Sequence, residues 1–172
     1  MEIELIHAPT AEDWMEVKRR ALITVGKTPM DKPRYEWKHR ILEARHSPIR
    51  YLVYSFQIMG IPSWVATHLV RHHVGFQPYV RSQRNDRQDE YDRNAARQDA
   101  PVDMIIDINA EALQVLANKR LCMLAAEETR RVVEKMCALA EDHTPEFDGL
   151  LVPACVHQGS KCHEMMPCGR WD

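Results

Sequence analysis

The distribution of apolar and polar residues along the chain predicts three β-strands. Alternation predicts a short strand over residues 2–8, and a second candidate covers residues 101–106. Residues 49–59 are the strongest candidate, because β-branched and aromatic residues dominate there and Pro48 and Gly60 flank the run. Composition and periodicity, with both strands and helical stretches, predict an α+β fold.

Four stretches have the apolar spacing of helices. They run from residue 10 to about 25, from 35 to 46, from 62 to 75, and from 109 to about 140. Thr10 is a candidate N-cap, with Glu12 and Asp13 in the following turn. The last stretch is long for one straight rod, so it is predicted to form two helices or one kinked helix.

The third helical stretch carries a group of side chains that suit an anion. Trp64, His68 and His72 recur every four residues along one side, and Arg71 and His73 flank His72 near the predicted helix end before Gly75. A hydroxyl, an amide and a guanidinium follow at residues 82–84. Guanidinium groups suit phosphates, and imidazoles suit the edge of a planar heterocycle. Together these side chains indicate a site for a nucleotide-like anion.

Each of these residues also has a plainer interpretation. His72 and His73 could bond only to backbone carbonyls at a helix end, and Ser82 could only stabilise a turn. His68 and His72 have the spacing of a metal-binding pair, but no HExxH glutamate lies between them. Residues 81–99 are rich in charges of both signs and fit either a solvated loop or a binding loop.

Length and charge narrow the class of protein. At 172 residues the chain is predicted to form a single domain over residues 1–172. A formal net charge of −2 argues against a partner that is a polymeric nucleic acid, and no apolar run is long enough to span a membrane. The acidic N-terminal residues do not have the layout of a signal peptide, so a cytoplasmic protein is expected.

The cysteine tail, residues 152–172, contains three of the five cysteines. An odd number of cysteines fits a reducing compartment better than a disulfide framework. Cys155, Cys162 and Cys168 with His163 could form a tetrahedral zinc site, although their spacings are wider than a zinc knuckle. Buried or free thiols are the alternative, and no metal is the primary prediction.

Two separated motifs resemble the flavin-dependent thymidylate synthases. The order SPIRYLVYSFQIMGIPSWVATHLVRHH followed by SQR is similar to that family's strand, its helix ending in Arg-His-Arg, and its Ser-x-Arg-Tyr segment. The stretch INAEALQVLANKRLCMLAAEETR resembles the family's helices with Asn-Ala-Arg, and the spacing from Asn109 to Arg120 fits that pattern. The similarity spans about residues 47–130.

The resemblance implies a mostly antiparallel sheet packed against helices, assembled as a homotetramer with active sites between subunits. It implies transfer of a one-carbon unit from methylenetetrahydrofolate to dUMP, with FAD as cofactor and NADPH as co-substrate. A closely related modification of a pyrimidine nucleotide is also compatible with it. The alternative is a relative that keeps a nucleotide-binding or regulatory role and has lost thymidylate synthesis.

The resemblance also implies roles for particular residues. Arg71, His72, His73 and Asn109 match flavin contacts. The matching nucleotide contacts are His68, Arg71, Ser82, Arg84 and Arg120. Arg120 corresponds to the arginine that polarises the uracil ring and is the predicted catalytic residue.

The chain departs from the family pattern at several positions. His73 stands in place of an arginine, Glu111 in place of the arginine of Asn-Ala-Arg, and Arg50-Tyr51 in place of a Glu-His pair. At His73 an imidazole thereby stands where the family pattern has a permanently charged guanidinium.

Overall fold

The structure is a computed structural model that describes residues 1–88 and 92–171. Within these residues the chain forms a four-stranded sheet and six α-helices. The elements are β1 (Glu2–His7), α1 (Ala11–Ile23), α2 (Tyr35–Glu43), β2 (Val53–Pro62), α3 (Ser63–Val70), β3 (Phe76–Val80), β4 (Pro101–Asn109), α4 (Ala110–Arg120), α5 (Glu127–His143) and α6 (Ala154–His157). The predicted α+β class and the mostly antiparallel sheet are confirmed.

The sheet has the order β1-β2-β4-β3, and all of its neighbouring strands are antiparallel. The long strands β2 and β4 form its centre. Alternate residues of β2, including Tyr54, Phe56 and Ile58, are fully buried. On β4, Ile106 and Ile108 are at most 1% exposed. One face of the sheet therefore supports the core, which the helices complete.

The boundaries of β2 differ from the prediction of residues 49–59. The segment Ser47–Tyr51 forms a 3-10 helix with Pro48 in its first turn, so the strand begins at Val53. The strand also continues through Gly60 to Pro62. Gly60 adopts a φ of 68°, and the register with β4 shifts between Ile58 and Ile61, so the glycine forms an irregularity inside the strand and does not end it.

The strand β3 was not predicted from the sequence. It has five residues, with Pro78 in the middle, and it pairs with β4 at the edge of the sheet. Proline within a run argues against a central strand but is compatible with an edge strand. Long-range pairing with β4 therefore defines this element, and its local sequence does not.

The helix predictions are largely confirmed. Thr10 caps α1 with a capping box in which Asp13 bonds back to the Thr10 backbone. The stretch 109–140 forms two helices, α4 and α5, as predicted, with a break over residues 121–126. Leu124, which the apolar pattern included, lies in that break and is 53% exposed.

No helix in the described ranges, 1–88 and 92–171, combines the length and the apolar character needed to cross a membrane.

Candidate functional site

The segment after α3 begins one turn earlier than predicted. Val65 and Leu69 anchor α3 in the core, and the helix ends at Val70 with Arg71 as C-cap. His72 and His73 therefore lie beyond the helix, and the helix does not extend to Gly75. Gly75 has a φ of 68° and turns the chain into β3. Because the helix has ended, the side chains of His72 and His73 do not follow the helical spacing of Trp64 and His68.

Three of the predicted site residues meet at the junction of α3 and α4. Arg120, the last residue of α4, donates from Nε to Nε2 of His72 at 3.0 Å. Its Nη2 donates to the backbone oxygen of His68 at 2.8 Å. Nδ1 of His68 in turn lies 3.1 Å from Oγ1 of Thr129 on α5, a fully buried threonine. A guanidinium at a helix end is thus held in one orientation by two elements.

The electrostatics of this cluster favour neutral imidazoles. Burial lowers the pKa of His72 to about 4, and the positive charge of Arg120 and the proximity of His73 act in the same direction. Burial, with Arg120 and Arg71, also lowers the pKa of His68. Because Nε2 of His72 accepts a hydrogen bond from Arg120, the proton of the neutral ring is on Nδ1. Arg120 is therefore the cation of the cluster at neutral pH.

A cavity of about 400 Å³ opens on the His72 side of the cluster, and Arg120 reaches it through its hydrogen bond to His72, because neither His68 nor Arg120 is among the lining residues. Its lining residues are Arg50, Arg71, His72, His73, Val74, Glu111, Ala112 and Val115. The Arg71 guanidinium makes no hydrogen bond or ion pair with any residue in ranges 1–88 and 92–171 and is free to bind an anion. The volume lies within the range of small-molecule sites. A planar ring with an anionic group is the kind of ligand that these walls accommodate.

Arg50 and Glu111 form a bidentate ion pair across this cavity. Arg50 donates from Nε to Oε2 of Glu111 at 2.5 Å and from Nη2 to Oε1 at 3.2 Å. These are two of the positions at which the chain departs from the family pattern. The two residues carry opposite charges, and Arg50 on the 3-10 helix faces Glu111 on α4. The sequence shows the two charges but not that they meet, because residues 50 and 111 are far apart in the chain.

Asn109 and His73 already bond within the chain. Asn109 is the N-cap of α4, where its Oδ1 accepts from the backbone N–H of Ala112 at 2.9 Å. Nδ1 of His73 lies 3.2 Å from the carbonyl oxygen of Arg71, which is the backbone contact that the plainer interpretation expected. Flavin contacts by these two residues stay predictions.

Ser82 and Arg84 do not join the cluster. They follow β3 and are not among the residues that line the cavity. Arg84 forms a bidentate pair with Asp86 at 2.8 and 2.6 Å, and Ser82 Oγ accepts from the backbone N–H of Arg84 at 3.3 Å. The hydroxyl therefore stabilises a turn, and nucleotide binding by this segment stays a prediction.

The residues of the cysteine tail lie elsewhere. Cys155, Cys162, Cys168 and His163 line a second cavity of about 240 Å³, next to the end of α4. Across residues 1–88 and 92–171, no three histidine, cysteine or acidic side chains already stand in an arrangement that could hold a metal ion. The zinc interpretation of the tail stays a prediction.

Thr129 was missed by the sequence analysis. It occupies the third residue of α5 and makes a polar contact with His68, although threonine within a helix usually attracts no attention. The contact depends on how α3 packs against α5, which no local pattern reports.

Solved structures with the same fold are flavin-dependent thymidylate synthases and a related methylase. Thymidylate synthase X (ThyX) from Helicobacter pylori, solved with FAD and dUMP, matches with a TM-score of 0.69 at 16% identity, over 88% of this chain and 99% of that one. A second structure of ThyX from Helicobacter pylori, also complexed with FAD and dUMP, gives 0.66 at 17% identity over 87% and 99%. The UMP/dUMP methylase PolB from Streptomyces cacaoi, bound with 5-Br dUMP, gives 0.65 at 15% identity over 88% and 96%.

The chain thus has the fold of the flavin-dependent thymidylate synthases, and the resemblance found in the sequence is confirmed at that level. No protein-family model matches the sequence, and comparison with curated proteins finds no match.

Proposed function

We propose that this protein is an enzyme that modifies a pyrimidine nucleotide, by flavin-dependent transfer of a one-carbon unit from methylenetetrahydrofolate to dUMP. The observation that carries the proposal is the placement of Arg120. Its guanidinium is held by His72 and by the backbone of His68, next to a cavity lined by Arg71, whose guanidinium has no partner among residues 1–88 and 92–171. Solved proteins of this fold bind dUMP or its 5-bromo analogue, which supports the choice of substrate class.

The chemistry explains why a fixed guanidinium is useful. The uracil ring has to carry more electron density at C5 before that carbon can attack a one-carbon unit. A guanidinium beside the ring stabilises the anionic form without a covalent bond to the enzyme. Arg120 has the remaining Nη1 for this role, because Nε and Nη2 already bond to the protein. Fixing the group in advance lowers the reorganisation needed during the reaction.

The cavity beside Arg120 fits a flavin or a nucleotide in its chemistry. Arg71 supplies a cation for a phosphate, Val74 and Val115 supply apolar surface for a ring, and His73 supplies a donor or acceptor. When FAD is bound, it supplies redox chemistry that side chains cannot, with NADPH as the reductant. The residues of this chain would hold the groups in position.

We propose that the site is completed by a second copy of the chain in a homotetramer. Ser82 and Arg84 lie outside the cavity of their own chain, and Arg84 is exposed with its partner Asp86. A bidentate guanidinium of this kind can exchange a carboxylate for a nucleotide phosphate. In the assembled protein, this segment would reach the cavity of a neighbouring copy.

A nucleotide-binding protein without turnover is the second candidate. The ion pair between Arg50 and Glu111 favours it, because the pair occupies one wall of the cavity and neutralises a charge there. The capping role of Asn109 acts in the same direction. Such a protein would bind the nucleotide and leave it unchanged.

Absorbance spectroscopy tests the first candidate. Purified protein is titrated with FAD, desalted, and titrated with dUMP, and the flavin band is expected to persist and to shift with dUMP. Arg120→Gln should abolish the turnover-dependent oxidation of reduced flavin. Arg131→Gln is the matched control, because Arg131 is a solvent-exposed helical arginine paired with Glu127.

Turnover separates the two candidates. Growth of a cell that lacks thymidylate synthase, restored by this chain and not by Arg120→Gln, would establish the enzyme. Binding of dUMP without flavin uptake or growth would establish the nucleotide-binding protein instead.

A further inference from the structure

Four of the five cysteines line the small cavity at the end of α4. Cys122 follows α4 directly, and Cys155 belongs to α6. The other two, Cys162 and Cys168, come from the irregular part of the cysteine tail after α6 and line the same cavity of about 240 Å³. Thiolates are preferred zinc ligands, and four of them satisfy a tetrahedral structural site. The fifth cysteine, Cys137, is buried on α5 and does not line the cavity.

The end of the tail has little else to hold it. Over residues 160–171 the structure contains no helix or strand, and nearly all side chains are exposed. The described part of this segment has one backbone hydrogen bond, from Lys161 to Cys155 at 3.2 Å. A segment that buries so little apolar surface does not offset the entropy of ordering. Metal binding supplies that free energy in small domains without a core.

We propose that the tail closes over this cavity by binding one Zn²⁺ through Cys122, Cys155, Cys162 and Cys168. One ligand, Cys122, comes from the segment after α4, and the other three come from the cysteine tail, where Cys155 lies on α6 and Cys162 and Cys168 lie in irregular chain. No three donors within the described residues are grouped around one point, so Cys162 and Cys168 have to move inward. That movement breaks no helix or strand, because both lie in irregular chain. Each thiol gives up its proton as it binds the ion.

The charges around the cavity support four thiolates. A zinc ion with four thiolates carries two net negative charges, and such a group needs cations nearby when it is partly buried. Lys119 on α4 and Arg170 in the tail line the same cavity together with one carboxylate, Glu164, so cations outnumber anions among the charged lining residues.

The proposal does not depend on the proposed function, although the two sites are close in sequence. Cys122 lies two residues after Arg120, so the ion would fix the end of the helix that carries the guanidinium. Loss of zinc would then loosen Arg120 without removing it.

Metal analysis and cobalt substitution test the site. Full-length protein purified without chelator is expected to contain one zinc per chain by elemental analysis. After replacement with Co²⁺ alone, it should show thiolate-to-cobalt charge transfer and the visible bands of a tetrahedral ion. Cys162→Ser and Cys168→Ser should each lose the ion or lose about a quarter of the charge-transfer intensity. Both positions lie in the tail, so these variants should keep the far-ultraviolet circular dichroism of the parent.

Two control variants make the assignment specific. Cys137→Ala removes a thiol that does not line the cavity, and the cobalt spectrum should not change. His163→Ala tests the histidine that lines the cavity and is expected to keep the ion. The proposal is overturned by protein without stoichiometric zinc, by a cobalt spectrum without thiolate charge transfer, or by equal losses in Cys137→Ala and Cys162→Ser. Loss of the ion in His163→Ala but not in Cys122→Ser would overturn this ligand set.

Discussion

His72 acts on the protein mainly through Arg120. It lies one residue beyond the C-cap of α3, where a ring nitrogen can face the end of α4. An imidazole that accepts from a guanidinium has to be neutral, and burial beside that cation keeps it so. The same contact gives the guanidinium a fixed direction. A change at His72 is therefore expected to alter both the acid stability of the fold and the function of Arg120.

His72→Gln should make the stability of the protein less sensitive to acid. The unfolded chain has the ordinary pKa of 6.5 at this residue, whereas the folded pKa is about 4. Between these values the unfolded state binds the proton and the folded state does not, so stability falls as the pH falls. Glutamine can accept from Arg120 without titrating. After allowance for partial exposure, the parent should lose about 1–2 kcal/mol more than the variant from pH 6.5 to pH 4.

Urea unfolding at a series of pH values measures this difference. His68 is present in both proteins, so its lowered pKa contributes equally and cancels in the comparison. If the unfolding free energies of the two proteins changed with pH in parallel, the His72 ring would not be held neutral by burial in the folded state.

The fold requires glycine at position 75 for two reasons: the backbone φ is positive, and there is no space for a side chain. A Cβ at this position would lie 2.2 Å from Nδ2 and 2.8 Å from Cγ of Asn109, whose oxygen caps α4. Gly75→Ala should therefore destabilise the fold by about 1–3 kcal/mol beyond its backbone cost, because Asn109 cannot move without losing the cap.

Gly26→Ala is the matched control for this prediction. Gly26 has the same φ of 68°, and a Cβ there would meet nothing within 4 Å. Chemical denaturation gives the loss of unfolding free energy in each variant. Subtracting the loss in Gly26→Ala from the loss in Gly75→Ala removes the backbone cost and leaves the cost of the clash. Equal losses in the two variants would contradict the close approach to Asn109.

At the scale of elements, the features that depend on neighbouring residues could be predicted from the sequence. The N-cap at Thr10 and the break between α4 and α5 are encoded within a few residues. The N-cap was predicted, and two helices were one of the two alternatives predicted for residues 109–140. The strand β3 and the contact of Thr129 with His68 depend on residues far apart in the chain, and both were missed. The start of β2 was also predicted too early, because Pro48 lies in the first turn of a 3-10 helix and the strand begins only after that helix.

The same limit applies to the site. Residues 68–73 and Arg120 were identified from motifs, and the structure brings His68, His72 and Arg120 together. The prediction did not include the ion pair of Arg50 with Glu111, because each residue was compared separately with the family pattern. Only the packing of the 3-10 helix against α4 shows that the two charges meet.

Exchanging the charges of Arg50 and Glu111 tests whether the pair joins these elements. Arg50→Glu alone places two carboxylates together and should lower the melting temperature by a few degrees. The double variant Arg50→Glu/Glu111→Arg should recover most of that loss, because the ion pair is restored with its polarity reversed.

A thermal melt of the three proteins gives the comparison. The control exchanges Arg97 and Asp99, an exposed pair two residues apart, and should change the melting temperature little. A double variant no more stable than Arg50→Glu would show that the pair does not couple the two elements.

At the scale of the whole molecule, the proposed assembly predicts that two inactive variants restore each other. Arg84→Ala and Arg120→Ala should each abolish nucleotide modification, and both should keep the oligomeric state. If each site takes Arg84 from one copy and Arg120 from another, randomly mixed oligomers should recover about a quarter of the parent activity.

Coexpression of the two variants followed by an activity assay measures the recovery. Either variant coexpressed with itself is the control. Mixed oligomers that stay inactive would show that both arginines serve one chain, or that Arg84 has no part in the site.

The two edges of the sheet limit how copies can meet. Pro78 occupies the middle of β3 and offers no N–H to an added strand, and the register of β1 shifts between Leu5 and His7. Edges with these features are poor templates for pairing with a foreign strand. Partially unfolded chains should therefore resist fibril growth through their sheet edges.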